Sequence, residues 1–199
     1  MNRNEVITIV SGLPRSGTSM LMSMLEAGGI SLLVDGVRTA DEDNPKGYFE
    51  FERVKKTKQD KGWLDDAKGK AVKMISQLLY DLPPDYRYKI VFVRRNIDEV
   101  LASQKQMLIR RGTYKEDDVA DEKMRTMLLA HVDQVLKWIG KQKSIECLCV
   151  DYNRMLQGGA QEQIGQINAF LGGDLNTAAM SAVVDKTLYR QRKGAPLNT

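Results

Sequence analysis

Cysteine is almost missing from this chain: Cys147 and Cys149 are the only two in 199 residues. That scarcity excludes a small secreted fold stapled by disulfides. The pair occupies alternate positions of Ile145-Glu146-Cys147-Leu148-Cys149-Val150, where a strand would point both to one face. Two buried free thiols in a reducing compartment are expected, in preference to a C-x-C metal or redox pair. Long apolar runs are missing as well. Nothing approaches the roughly 18 to 20 consecutive apolar residues of a membrane-spanning helix. Met1 to Glu5 lead into a β-like run without the apolar stretch of a secretory signal, so a cytoplasmic location is expected. Proline is sparse at five and glycine ordinary at sixteen, which excludes low-complexity sequence. Surplus charge is small: thirty Lys and Arg stand against twenty-six Asp and Glu, a net charge of +4. With acidic residues mixed among the basic ones, this balance argues against a nucleic-acid partner and suits a small anionic ligand. What is present, 42% apolar and 28% charged residues, belongs to a globular protein. A chain of this length is expected to form one domain over residues 1–199, burying roughly 70% of its unfolded surface.

Val6-Ile7-Thr8-Ile9-Val10 is a continuous β-branched run bounded by Ser11-Gly12, the pattern of a strand covered on both faces of a parallel sheet. Apolar residues at helical spacing follow from Met20 to Leu25 and stop at Gly28-Gly29. Ile30 to Val34 reads as a second short strand, Asp35 to Gly47 as a polar loop, and Tyr48 to Asp60 as a candidate helix. Strands are expected over Lys70 to Ile75 and Lys89 to Val93, separated by the Pro83-Pro84 turn, and then a helix from Ile97 to Arg110. Arg111 to Asp118 has no periodicity and ends in a charge run, so it reads as a surface loop, with a lid as the alternative. A helix over Asp121 to Lys141, a strand over Ile145 to Val150 and a helix over Glu162 to Leu171 complete the chain. Strands alternating with helices, without repeat or linker, predict an α/β fold: a single doubly wound, mostly parallel sheet flanked by helices.

Gly12-Leu13-Pro14-Arg15-Ser16-Gly17-Thr18-Ser19 lies between the strongest strand and its helix. Backbone N–H groups converge at such a turn, and the helix dipole favours an anion there. Phosphate binding is the first inference. The two glycines have the spacing of a G-x-x-x-x-G-K-[ST] loop, but Thr18 stands where an ATPase or GTPase carries its lysine. The cation has moved into the loop as Arg15, a planar and permanently charged fork.

This octapeptide resembles the 5′-phosphosulfate loop, P-[KR]-S-G-T-[TS], of sulfotransferases that use 3′-phosphoadenosine 5′-phosphosulfate (PAPS), whose fold is P-loop NTPase-like. The resemblance implies that Pro14, Arg15, Ser16, Gly17, Thr18 and Ser19 bind the co-substrate. The family's second element is a strand, an arginine and a serine eight residues on, which hold the 3′-phosphate. Val91-Phe92-Val93-Arg94-Arg95-Asn96 followed by Ser103 matches it, with Arg95 and Ser103 in those roles. An arginine at a strand end and a serine two helical turns later can converge on one phosphate. Weaker likenesses extend along the chain: His131 to Trp138 to the family's H-V-x-x-W helix, Asp151 to Leu156 to its Y-E-D-L segment, and Ala169 to Gly172 to its F-[LV]-G helix end. They imply a co-substrate contact for Tyr152. Arg192-Lys193-Gly194 resembles the R-K-G element that adds charge at the 3′-phosphate.

The pattern departs from the cytosolic eukaryotic members at the catalytic histidine of their K-T-H-L-P segment. The corresponding Val72-Lys73-Met74-Ile75-Ser76-Gln77 has none, and the only histidine, His131, falls on the apolar stripe of a helix and reads as a packed or pocket-lining residue. The general base is then expected to be a carboxylate, as the resemblance to bacterial glycolipid and tyrosylprotein sulfotransferases implies. Asp35 and Glu50 are the candidates, with Asp41, Glu42 and Glu52 behind them. The implied reaction is in-line attack by an acceptor hydroxyl on sulfur, with Arg15 in the electrostatic role a metal would otherwise fill, so no metal is expected. The acceptor could be a small molecule, glycan, lipid or peptide. Rival readings are a P-loop phosphotransferase using ATP or GTP with magnesium, and a non-catalytic nucleotide-binding module.

Overall fold

The computed structural model describes residues 3–41, 44, 47–114 and 121–185. Its centre is a four-stranded sheet in the order β2-β1-β3-β4, parallel throughout. The strands are β1 (Val6–Gly12), β2 (Ala71–Lys73), β3 (Arg87–Arg94) and β4 (Ile145–Asp151). Every residue of β1 is buried, as its unbroken β-branched run requires of a strand covered on both sides. The register sets Val10 beside Val91 and Lys73, and Gly12 beside Val93. The helices are α1 (Thr18–Ala27), α2 (Leu64–Ala67), α3 (Ile97–Arg110), α4 (Asp121–Ile139), the short α5 (Tyr152–Arg154), α6 (Ala160–Leu171) and α7 (Thr177–Ala182).

Alternation along the strands divides the core in two. Val10, Val91, Val93 and Val150 face α1, α6 and α7, meeting Leu21, Leu25, Ile164, Ile167 and Met180. Ile7, Ile9, Ile90 and Phe92 face the other way, onto Trp63, Leu64, Leu79, Val135 and Ile139 from α2, the 3-10 turn Ser76–Asp81 and α4. Helices on both faces make the sheet doubly wound, as expected. Chain order runs from β1 to β2 on one side and then to β3 on the other, so β1 and β3 flank a switch point where crevices open at the strand ends. Among the described residues no helix is long and apolar enough to cross a membrane.

Three expectations need correction. Ile30 to Val34 is not a strand: Leu32 makes one isolated bridge to Ala71, with hydrogen bonds from Leu33 N to Ala71 O at 2.8 Å and from Ala71 N to Ser31 O at 2.8 Å. The chain then leaves the sheet, and Val34 and Val37 are exposed with no layer to cover them. Tyr48 to Asp60 is not a helix beyond the 3-10 turn Glu52–Lys56. Its first residues are held by tertiary bonds: Lys73 Nζ donates to Tyr48 O, and Asp35 N donates to Glu50 O at 3.2 Å. Phe49, at φ 51°, cannot join a right-handed helix. The cysteines are unpaired as expected, but Cys147 is half-buried and Cys149 exposed, because β4 is an edge strand.

Leu25 is fully buried between α1 and the sheet. Leu25→Ala is expected to lower the unfolding free energy by about 2–5 kcal/mol, read by urea denaturation; a loss below about 1 kcal/mol would contradict the packing described for α1.

Candidate active site

The loop from Gly12 to Gly17 joins β1 to α1 at the switch point. Glycine is required at both ends. A Cβ on Gly12 would lie 2.6 Å from Val93 O, and one on Gly17 2.2 Å from the Tyr152 ring; Gly17 has φ 102°. The backbone therefore packs directly on β3 and on α5. Ser16 N closes the turn onto Leu13 O at 3.1 Å. Among the described residues no side chain caps α1, so its leading amides are offered to a ligand rather than to the protein. Arg15 adopts φ 71°, a conformation costly for a residue with a Cβ and found where a site demands it.

The two arginines singled out from the sequence meet here. Arg95 is the first residue beyond β3, and its Nη1 donates to the carbonyl oxygen of Arg15 at 3.1 Å. Arg15 Nε donates to Ser103 Oγ at 3.0 Å. The Arg95 guanidinium lies over the Tyr152 ring, 4.7 Å from its centroid. One cavity of about 320 Å³ is lined by Pro14, Arg15, Gly17, Thr18 and Ser19, and also by Arg95, Ser103 and Tyr152. Burial raises the Tyr152 phenol above its ordinary pKa. Ser16 is buried beneath the loop, and its hydroxyl has no partner among the described residues.

Of the carboxylates, Glu50 lines the same cavity and Asp35 does not. Asp35 is exposed and acts as an Asx-type anchor, accepting from Val37 N at 3.0 Å and from Glu52 N at 2.6 Å. Asp41 accepts from the Tyr48 hydroxyl at 2.6 Å, and Glu52 pairs with Lys55 at 2.6 Å. Glu42 and Arg192 to Gly194 lie outside the described residues, as does the part of the 111–118 loop beyond Tyr114. His131 is away from the cavity; its Nε2 is 2.9 Å from Ser76 Oγ, and burial lowers its pKa.

Four basic residues that line the cavity, Arg38, Lys73, Arg110 and Arg111, were missed from the sequence. Arg38 pairs with Glu50 at 3.0 Å and stacks on the Tyr48 ring, 3.3 Å from its centroid. Lys73 closes β2 and enters the cavity with only 9% of its side chain exposed. Its Nζ lies 3.4 Å from Ser19 Oγ and 3.7 Å from Glu50. Its position at a strand's C-terminal end was the available signal, since such ends carry the chemistry of open α/β sheets; Arg38, in a polar loop, had none. Burial pulls the Lys73 ammonium down to about 8, against the opposing pull of Glu50. Among the described residues no group of three or more His, Cys, Asp or Glu is placed to hold a metal ion.

Residues 7–199 match the sulfotransferase domain family, and the chain belongs to it. Family membership makes the protein a sulfotransferase, moving a sulfuryl group with PAPS as its donor, and displaces both rival readings. The fold agrees: a solved sulfotransferase domain from the curacin biosynthetic pathway superposes with a TM-score of 0.54 and 15% identity, covering 100% of this chain and 95% of that one. Mouse sulfotransferase SULT7A1, solved in complex with PAP, superposes with a TM-score of 0.48 and 18% identity, covering 92% of this chain and 63% of its own. No curated protein sequence matches the chain. The glycine-shaped loop, the uncapped helix and the paired arginines fit a doubly phosphorylated nucleotide.

Lys73 has a native pKa of about 8 against 10.5 for the free side chain. Between those values the unfolded chain holds a proton that the native chain has released, so stability rises with pH across the window. From about pH 7.5 to about 10.5, the wild type is expected to gain roughly 2 to 3 kcal/mol relative to Lys73→Met. Parallel urea titrations that keep a constant gap would contradict this.

Proposed function

We propose that the chain is one domain whose cavity holds PAPS with its 5′-phosphosulfate on the Pro14–Ser19 loop and its 3′-phosphate on Arg95 and Ser103. The observation that carries this reading is the pair of bonds that draws Arg95 to Arg15 O and Arg15 to Ser103, bringing two cations to one cavity. Tyr152 would flank the nucleotide beside them. Arg192, Lys193 and Gly194 are proposed, on the family resemblance, to add charge at the 3′-phosphate.

When bound, PAPS supplies an activated sulfuryl group and leaves as 3′,5′-phosphoadenosine (PAP). Arg15 and the leading amides of α1 would stabilise the negative charge that grows on the bridging oxygen. Removing one such preorganised donor typically costs about 10² to 10³ in rate. Lys73 adds a second cation between Ser19 and Glu50. Glu50 is the proposed general base, because it is the candidate carboxylate that faces the cavity. Its Oε1 is held by Arg38 at 3.0 Å and approached by Lys73 at 3.7 Å, which fixes the carboxylate in the cavity where it would take the proton of an acceptor hydroxyl. Asp35 is placed second, since both its oxygens accept from backbone amides. The acceptor carries its hydroxyl on a small molecule, glycan, lipid or peptide. A reducing, cytoplasmic setting is supported by the two adjacent unpaired thiols.

In a thermal-shift experiment PAP is expected to stabilise the protein strongly and ATP with magnesium weakly; equal shifts would overturn the assignment of Arg95 and Ser103. Arg15→Ala should lower kcat by about 10² to 10³, and Glu50→Gln by about 10² to 10⁴. Turnover at the wild-type rate in either variant refutes the role given to that residue.

A further inference from the structure

Arginine is a long side chain with much rotamer freedom to lose, and Arg95 stands at a loop that a free guanidinium could leave in many directions. It does not. Its Nε donates to Glu99 Oε2 at 3.1 Å, and the two side chains are only 7% and 4% exposed. Glu99 sits in the first turn of α3. The same oxygen accepts from Asn153 Nδ2 at 2.9 Å, and Asn153 Oδ1 accepts from Asn96 N at 2.9 Å. The loop after β3 is thereby pinned to the turn after β4, with Glu99 as the buried joint between them.

A carboxylate at this place is costly to explain by charge alone. It offsets the cation beside it and weakens the pull of the site on any anion. A pocket selected for attraction only would have no reason to bury one beneath its arginine. What the carboxylate supplies is direction. A guanidinium is planar and rigid; with Nε on Glu99 and Nη1 on Arg15 O, the orientation of the whole fork is set. The Tyr152 ring beneath it holds the plane. A fork held in advance loses less freedom when it grips a phosphate.

We infer that Glu99, braced by Asn153, is a positioning residue that gives the site its selectivity for a 3′-phosphorylated nucleotide by holding the Arg95 fork in place. This rests on the donor arrangement proposed above. The 5′ loop has supports of its own, the Ser16 N to Leu13 O turn, the bond from Arg15 to Ser103 and that from Gln104 Nε2 to Pro14 O at 3.2 Å. Loss of Glu99 therefore falls on the 3′ end of the ligand.

Calorimetric titration of the full chain with PAP and with adenosine 5′-phosphate, which lacks the 3′ group, tests the inference. Glu99→Ala is expected to weaken PAP binding roughly 10- to 100-fold, the range of a hydrogen bond to a charged group, while adenosine 5′-phosphate binds as to the wild type. Glu99→Gln, which keeps an acceptor oxygen, should recover most of the selectivity. Asn153→Ala should show the same 3′-specific loss in smaller measure, and it decides the matter should Glu99→Ala fail to fold. Equal weakening of both nucleotides, no weakening, or tighter PAP binding from the unmasked arginine charge overturns the inference. Arg95→Ala separates the two levels: if it abolishes selectivity and the Glu99 and Asn153 variants do not, the donor site stands and the clamp falls. A wild type that does not distinguish PAP from adenosine 5′-phosphate removes both.

Discussion

The guanidinium groups of Arg15 and Arg95, of like charge, line one cavity, and the rest of the site depends on how the protein keeps them there. Left to themselves they would repel and turn outward to water. The structure overcomes this by giving Arg95 an acceptor on the backbone of Arg15. The nearer the second cation stands, the better the first is fixed. Ser103 holds the Arg15 side chain from α3, and Glu99 balances Arg95 from one turn earlier in that helix. Three residues of β3-α3 and one loop after β1 are thus joined into a single network, the one proposed above to hold the donor. Like charges held together in advance form a site that a dianionic ligand relaxes, which is how an electrostatic site obtains both affinity and catalytic effect without reorganising.

The fold makes that convergence possible. β1 and β3 are neighbours in register over their whole length, so the residues leaving their C-terminal ends emerge side by side. Gly12 sits against Val93 O with no room for a side chain, and that close approach sets the separation between the loop after β1 and Arg95. Gly17 does the same toward Tyr152. Apolar layers on both faces hold the sheet still beneath them. The positive φ of Arg15 is held by the bond from Arg95 to its carbonyl oxygen and by the bond from its own Nε to Ser103.

At the other end of the cavity the arrangement is built from a loop and not from the sheet. Phe49 turns its backbone to φ 51° while its side chain packs against the core. That turn separates Tyr48, which faces Arg38 and Lys73, from Glu50, whose carboxylate lies between the same two cations. Lys73 is buried deeply enough to hold its proton loosely. A short network of opposite charges, closed by hydrogen bonds from Asn44 and Lys73 to Ser19, joins the loop to the start of α1. The proposed base and the donor loop are therefore mechanically connected.

Much of this was legible in the residues in order. The β-branched run of β1, the glycines after it and the apolar spacing of α3 are local patterns with local causes, and each appears where the pattern lies. Arg15, Arg95 and Ser103, proposed to hold the donor, were singled out by a family motif tied to the end of a strand and the start of a helix, and the structure brings all three to one cavity. The segment from Tyr48 to Asp60 was not: its candidate helix is overridden by bonds from Lys73 and Asp35, residues of other segments. Neither Arg38 nor Glu99 carries a local sign, and Asp35 and Glu50 look alike as letters. The choice between those two carboxylates was made by the chain's path, because whether an acid ends as a turn anchor or in a cavity depends on contacts far away in sequence. Local order thus determined the fold class and the glycine-bounded turn between β1 and α1, while tertiary packing alone decided which charges face one another, since electrostatic partnership depends on distance in space and on burial, and neither is a property of sequence position.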